Sequence, residues 1–411
     1  MTAPNQVLIR DCRIFDGWNE ALLDAHHVLV ESNRIKEVSD RPIEAPNARV
    51  VEAGGKVLMP GLIDAHYHAV AVDPDLRKLE TMSRYHIAQY ARGFLEASLR
   101  RGFTSIRDAG GADFGLALAV ESRLVEGPRV FYCGHALTQT GGHADFRGLN
   151  EDHPAFCLCG QGGNTMGIIA DGVAEVRRAA REELRKGATQ IKIMASGGVS
   201  SPTDPIWNLQ YSEEEIRAIV WEAESWRTYV MAHAYTPEAI RRCVAFGVRS
   251  VEHANLIDAE TAAFCAEKGA YVVPTLVTYD ALESDGPALG LPEVSLEKLR
   301  DVRAVGLNSL EILRDAGVKM GFGTDLLGQM HRHQSREFSI RAEVLTPLEI
   351  LRSATRVNAE MMNRQGELGC VAAGALADLL LIDGNPLDDI ALLANDGAGV
   401  SMIMKDGEIY R

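Results

Sequence analysis

The stretch Met59-Pro60-Gly61-Leu62-Ile63-Asp64-Ala65-His66-Tyr67-His68 sets two histidines one residue apart at the end of an apolar run, VLMPGLI. Side chains of an extended strand alternate between its two faces, so His66 and His68 point the same way. Two imidazoles on one face suit a divalent cation. The apolar run predicts a buried strand with the pair at its carboxyl end. An HxH pair recurs by chance, so its weight depends on whether the rest of the chain supplies further ligands.

Outward from this pair, short apolar stretches alternate with amphipathic ones. VLMPGLIDAHYH is followed by FTSIRDAGG, RVFYCGHAL, TQIKIMASGG, TYVMAHAY, VRSVEHANL, AYVVPTLVTYD and VKMGFGTD. Most are rich in β-branched residues and end in Gly or polar residues, which marks strands. Helix-like segments lie between them, among them 172–186, 212–226 and 296–316. The second is opened by Ser212-Glu213-Glu214-Glu215, with acids in its first turn. Strands alternating with helices predict an α/β fold with a parallel sheet, most simply closed as a (β/α)8 TIM barrel over residues 59–366. A doubly wound open sheet explains the even repetition less well.

The ends read differently. Residues 1–58 hold QVLIRDCRIF, HHVLVESNRIKEVS and ARVVEAGGKVLM, and residues 367–411 hold ADLLLIDGNP and VSMIMKDGEIYR. Short strands separated by turn residues at both ends predict one small composite β-sandwich domain beside the barrel. His26 and His27 fall in it and read as surface or packing residues.

Bulk properties fit a soluble enzyme. The chain has 411 residues, 46% hydrophobic and 24% charged, with a net charge of −15 and a pI near 5.3. No basic stripe marks a nucleic-acid partner. The seven cysteines are scattered and odd in number, which argues against a disulfide framework and for a reducing compartment. Cys157 and Cys159 form only a CxC in a Gly-rich loop and read as unpaired thiols. The first residues lack a basic segment followed by an apolar one, and no stretch of about twenty apolar residues occurs. A cytoplasmic protein without a membrane anchor is expected.

Later strands supply the missing ligands. Lys192 is the single charge in the apolar strand QIKIM, His233 ends TYVMAHAY, His253 sits in VRSVEHANL and Asp325 ends VKMGFGTD. A barrel brings strand ends to one mouth, where such folds keep their chemistry. Imidazole and carboxylate donors suit zinc or a similar cation. Two ions roughly 3.5–4 Å apart need a bridging ligand. A bare ammonium cannot serve, because it has no acceptor. Carbamylation by carbon dioxide would turn the Lys192 amine into a bridging carboxylate.

GLIDAHYH, the lysine of the fourth strand, the two later histidines, the GTD aspartate and the flanking GALADLLLIDGNPLDD occur in an order that resembles the amidohydrolase superfamily over nearly the whole chain. TQTGGHAD, IKIMASGGVSSPTDP, AHAYTPEAI and GAYVVPTLVTYDAL resemble its prolidase-like, imidazolonepropionase-related group. That group includes Xaa-Pro and Xaa-Arg dipeptidases and ochratoxin-hydrolysing amidases. The resemblance implies two divalent ions, zinc first among candidates. His66 and His68 would hold the more buried ion and His233 and His253 the more exposed one, with N-carboxylated Lys192 bridging them. Asp325 would ligate the buried ion, accept the proton of a bridging hydroxide and deliver it to the leaving nitrogen. His143 would stabilise the oxyanion, and Tyr235 would contact the substrate's α-carboxylate. The loop of Thr278, Tyr279, Asp280 and Ala281 would shape the pocket for the leaving amino acid.

The implied reaction is binuclear hydrolysis of the amide bond to a C-terminal amino acid in an Xaa-Pro dipeptide or N-acyl amino acid. Ochratoxin A-type aromatic amides, and ureas, carbamates or cyclic amides, are alternative substrates. Lys192 argues against a deaminase. A scaffold protein that keeps its ligands is the non-enzymatic alternative. The expected partner is a small-molecule substrate, in a homo-oligomer. His135 could line the mouth. His331 and His333 form a second HxH, in a polar stretch expected to be a solvated loop. His86 and His153 read as surface residues, and Arg107 with Asp108 as a structural ion pair. The Gly-rich runs GGADFG, CGQGGN and SGGVSS lack the spacing of a nucleotide site.

Overall fold

A computed structural model describes residues 5–148, 150, 165–201, 203–289 and 293–411. His153, Cys157, Cys159 and the CGQGGN run lie outside these residues. The described chain forms two compact units: Ala65–Leu95 with Ile106–Gln334, and Met1–Asp64 with Glu96–Ser105 and Ser335–Arg411.

The fold is a (β/α)8 barrel. Its strands are β1 (Leu62–Tyr67), β2 (Phe103–Asp108), β3 (Arg129–Tyr132), β4 (Ile191–Met194), β5 (Val230–Ala234), β6 (Ser250–His253), β7 (Tyr271–Val273) and β8 (Lys319–Met320). Neighbours from β4 to β8 pair in parallel, with Met194 opposite His233 and Ala234 opposite His253. β1, β2 and β3 form a second run. Two backbone hydrogen bonds close the ring. The Thr189 N–H donates to the Tyr132 carbonyl at 2.8 Å and the Ala65 N–H to the Phe322 carbonyl at 2.8 Å.

Helices α1 (Arg84–Arg100), α2 (Phe114–Glu121), α3 (Gly172–Arg185), α4 (Glu213–Ser225), α5 (Pro237–Ala245), α6 (Ala259–Lys268), α7 (Leu276–Leu289), α8 (Glu293–Arg303) and α9 (Gly306–Asp315) follow the strands. Ile191, Ile193, Val230, Ala232, Val251 and Val272 share one core with Val176 and Leu184 of α3, Ile216 and Ile219 of α4, and Ile240 of α5. The period of two then leaves Lys192, between Ile191 and Ile193, on the inward face. α4 opens on a reciprocal cap: Ser212 accepts from the Glu215 N–H and Glu215 accepts from the Ser212 N–H.

Four expected elements divide. VLMPGLIDAHYH breaks at Gly61, where a Cβ would stand 2.1 Å from Thr104 Oγ1. Val57–Pro60 pairs antiparallel with Leu379–Ile382 instead of continuing the barrel strand. RVFYCGHAL splits into β3 and a short strand Ala136–Thr138, which pairs with Gly167–Ile169. AYVVPTLVTYD is strand only to Val273. Pro274 has no N–H for a ladder, and Leu276 already begins α7. The segment 296–316 holds most of α8 and all of α9, because the chain restarts as α9 at Gly306, packed against Leu276.

The second unit carries an eight-stranded sheet from both ends of the chain. Its order is Glu408–Ile409, Val400–Lys405, Leu379–Ile382, Val57–Pro60, Gln6–Ile14, Leu23–Glu31 and Arg34–Ser39, with Arg49–Glu52 also on Gln6–Ile14. Alternation puts Val7, Ile9, Val28, Val30, Leu379 and Met402 into one core and Leu8, Leu29 and Ile43 into another. Among the described residues, no helix is long and apolar enough to cross a membrane.

Candidate metal centre and active site

His66 and His68 leave the end of β1 on one face, as alternation requires, with ring centroids 5.3 Å apart. Asp325, after β8, meets both: its Oδ1 lies 3.4 Å from His66 Nε2 and 3.1 Å from His68 Nε2. One donor atom from each of these three residues falls within 4.8 Å of the others. The His253 ring lies 4.8 Å from that of His66, and the His233 ring 4.6 Å from that of His253. Lys192 lines the same cleft.

The backbone is bent to achieve this. His253 and Asp325 have φ of 73° and 54°, in the left-handed region that β-carbon sterics disfavour. Such conformations persist where surrounding structure holds them, often at working sites. Gly323 lets the chain after β8 run against β1, since a Cβ there would stand 2.7 Å from His66 Cβ.

A layer of fully buried groups orients these candidate ligands. Glu252 Oε2 lies 2.7 Å from His66 Nδ1, and the Arg107 guanidinium donates to both Glu252 oxygens at 2.9 and 3.0 Å. His253 Nδ1 is 2.8 Å from Thr275 Oγ1. Orienting bonds of this kind fix which imidazole nitrogen faces a metal. Glu252 is missing from the residues the sequence singled out. The expected Arg107–Asp108 ion pair is corrected: neighbours on a strand point to opposite faces, so Arg107 joins Glu252. Asp108 instead accepts the Ala69, Gly110 and Ala112 N–H groups at 2.8, 3.0 and 3.1 Å.

Electrostatics favour cation binding. Burial, with His143, His253 and Lys192 nearby, holds His233 well below the ordinary histidine range, so its imidazole is neutral. Burial likewise holds His253 well down, against the pull of Asp325. Burial alone would raise the Asp325 carboxyl, but His66, His68 and His253 outweigh it and keep it well below the ordinary carboxylate value. Desolvation pulls the Lys192 ammonium down, opposed by Glu252 and Asp325. At His66 burial and Lys192 pull the imidazole down, but Asp325 and Glu252 outweigh them and raise it. With His233 and His253 neutral and Asp325 ionised, forms that bind zinc-like ions, this concentration of donors and negative charge fits a metal centre.

The cleft beside these groups is open to solvent and is walled by Leu76, Ala136, Phe146, Met166, Met194 and Leu327. His143 and Tyr235 line it; the His143 ring stacks on His233 with centroids 4.2 Å apart. Thr278 and Tyr279 are corrected from a loop to helix α7, and both are buried. Tyr279 lies behind Tyr235, hydroxyl to hydroxyl at 3.0 Å, and 3.1 Å from Asn255 Oδ1. Asp280, on the same helix, pairs with Arg303.

His135, His331 and His333 fall outside this cluster. His135 pairs with Glu183 at 2.9 Å. His331 is corrected from a solvated loop to a buried position. Its ring stacks on Tyr67 at 4.5 Å and lies 4.7 Å from Phe94, and its Nε2–H donates to the His68 carbonyl at 3.2 Å. His333 pairs with Asp285, on α7, at 2.8 Å.

Comparison with known proteins agrees with this geometry. The sequence model of the amidohydrolase family matches residues 57–410. An ochratoxinase from Aspergillus niger is 35% identical over 372 residues, covering 86% of this chain and 76% of its own length. The crystal structure of a prolidase complexed with N-methylphosphonate-L-proline superposes with a TM-score of 0.96 at 52% identity, covering 99% of this chain and 100% of the other. An amidohydrolase crystal structure gives 0.97 at 53% identity, covering 99% of each chain.

Proposed function

The chain belongs to the amidohydrolase family, and from that premise we propose that it hydrolyses the amide bond preceding a C-terminal amino acid, proline first, in a dipeptide or N-acyl amino acid. The observation that carries this reading is convergence. His66, His68, Lys192, His233, His253 and Asp325 come from the ends of five different strands, and all line one cleft.

His66, His68 and Asp325 would hold one divalent ion and His233 and His253 a second, both zinc, with N-carboxylated Lys192 between them. When bound, the ions supply polarisation of the scissile carbonyl and an activated water. The chain supplies the rest. Asp325, ionised and within reach of both β1 histidines, takes a proton at a carboxylate oxygen as the carbonyl is attacked. It returns that proton to the leaving nitrogen, without which an amine is not expelled. His143, on the cleft wall, donates to the developing oxyanion. Tyr235, backed by Tyr279, donates its phenol to the substrate's α-carboxylate.

Two relatives support the choice of leaving group: the prolidase at 52% identity holds a proline phosphonate, and the ochratoxinase shares 35% identity. The apolar cleft wall favours a second reading within the same chemistry, an aromatic N-acyl amino acid of the ochratoxin A type. A panel of Xaa-Pro, Xaa-Arg and N-acyl-Phe substrates, each with its C-terminal amide, tests the proposal. Free acids are expected to be cleaved and the amides poorly. Equal cleavage of both, or turnover of ureas alone, contradicts it.

A further inference from the structure

Residues 196–201 and 203–205 after β4, for which the proposed chemistry has no use, fold around His143. Gly198 backs the ring so closely that a Cβ there would stand 2.1 Å from His143 Cε1. The other face of the ring stacks on His233 at 20° between planes. His143 Nδ1 lies 2.9 Å from Ser201 Oγ and 3.3 Å from Asp204 Oδ2. Asp204 is buried, at 1% exposure. Its Oδ2 accepts from Gln210 Nε2 at 3.1 Å, and Gln210 Oε1 in turn accepts the His143 backbone N–H at 2.9 Å. Asp204 Oδ1 has no hydrogen-bond partner among the described residues. A buried carboxylate with one oxygen unmatched is costly unless a nearby cation compensates it.

From α8, the Lys298 ammonium ties the segment down, donating to the carbonyls of Gly198, Ser201 and Asp204 at 3.1, 3.0 and 2.6 Å. One lysine thus holds the glycine behind the ring and both residues facing Nδ1.

We propose that Asp204 is the positioning residue of His143: its carboxylate faces Nδ1 beside the Ser201 hydroxyl and, through Gln210, also holds the backbone of that histidine, while Lys298 holds the loop that carries it. The Ser201 hydroxyl at 2.9 Å and the Asp204 carboxylate at 3.3 Å both face Nδ1, so together they fix how the ring is turned. The inference rests on reading His143 as the group that meets the oxyanion.

A double-mutant cycle on the metal-loaded enzyme tests it, with bound metal measured for every variant. Asp204→Asn is expected to lower kcat/KM by about 10- to 100-fold, in kcat more than KM, with metal content unchanged. In a His143→Ala background the same substitution should cost less than about twofold, because the group it positions is gone. An equal loss in both backgrounds, or none in either, overturns the proposal. His143→Ala with undiminished kcat/KM overturns the reading of His143 itself, and the inference with it. Should Asp204→Asn not fold, Lys298→Met serves in the same cycle. It loosens the loop without touching either side chain of the pair, and the same background dependence is expected.

Discussion

Glu252 bonds the ring of His66, and its own charge is held by Arg107, so one buried carboxylate governs how a proposed ligand is aimed. Glu252→Gln should weaken metal affinity by about 10- to 100-fold, read by competition with a chelator; unchanged affinity would reduce Glu252 to packing. Burial would raise this carboxyl, but Arg107, His66 and Lys192 pull it from its ordinary 4.5 to about 2. A depressed carboxylate stabilises the fold fully above pH 4.5, and that contribution is withdrawn as pH falls towards 2. Wild type should therefore lose stability over that window more steeply than Glu252→Gln. Asp325→Asn should keep most of its metal and lose kcat by about 10²- to 10⁴-fold; retained turnover would end its role as proton carrier. Tyr235→Phe should raise KM for substrates with a free α-carboxylate more than for their amides. The sequence made Lys192 visible as a lone charge in an apolar strand. Glu252, in RSVEHAN, gave the same signal but was masked by its neighbour. On a regular strand Glu252 and His253 face opposite ways, and only the left-handed backbone at His253 lets both serve one site. Asp204 gave no signal, because a loop has no period and its partner His143 lies 61 positions earlier.

Elements obeyed periodicity and diverged at their ends. α4 was legible from Ser212 onward because the reciprocal Ser212–Glu215 cap is written in four consecutive residues. Ser212→Ala should cost about 1 kcal/mol in denaturant unfolding and leave kcat unchanged, since the cap lies outside the cleft. The seventh strand misled because VVPTLV is apolar throughout, and apolar runs alone do not separate strand from buried helix. Pro274 was the available punctuation, and behind it α7 turns Thr278 and Tyr279 into the core. His331 departs from its expected place for a related reason. Its polar neighbours Gln329, Arg332 and Gln334 suggested a solvated loop, whereas the ring itself fills the space between Tyr67 and Phe94.

At the scale of the whole molecule, the strand-end candidate ligands were legible because a barrel converts order along the chain into convergence in space. Candidate ligands from five strands line one cleft, whereas the outline of that cleft depends on side chains such as Leu76, Phe146 and Met166 that carry no chemical signature. If the metals tie these strand ends together, chelation should lower the thermal midpoint and zinc should restore it, since a ligand that binds only the folded chain stabilises it by mass action. The central claim, an amide hydrolase working through two ions held by these six side chains, is tested most directly by titrating metal-free protein with zinc in bicarbonate buffer while following hydrolysis of an Xaa-Pro or N-acyl amino acid substrate. Activity is expected to rise from near zero and level off at two equivalents per chain. Full activity without metal, or saturation at a single equivalent, would contradict it.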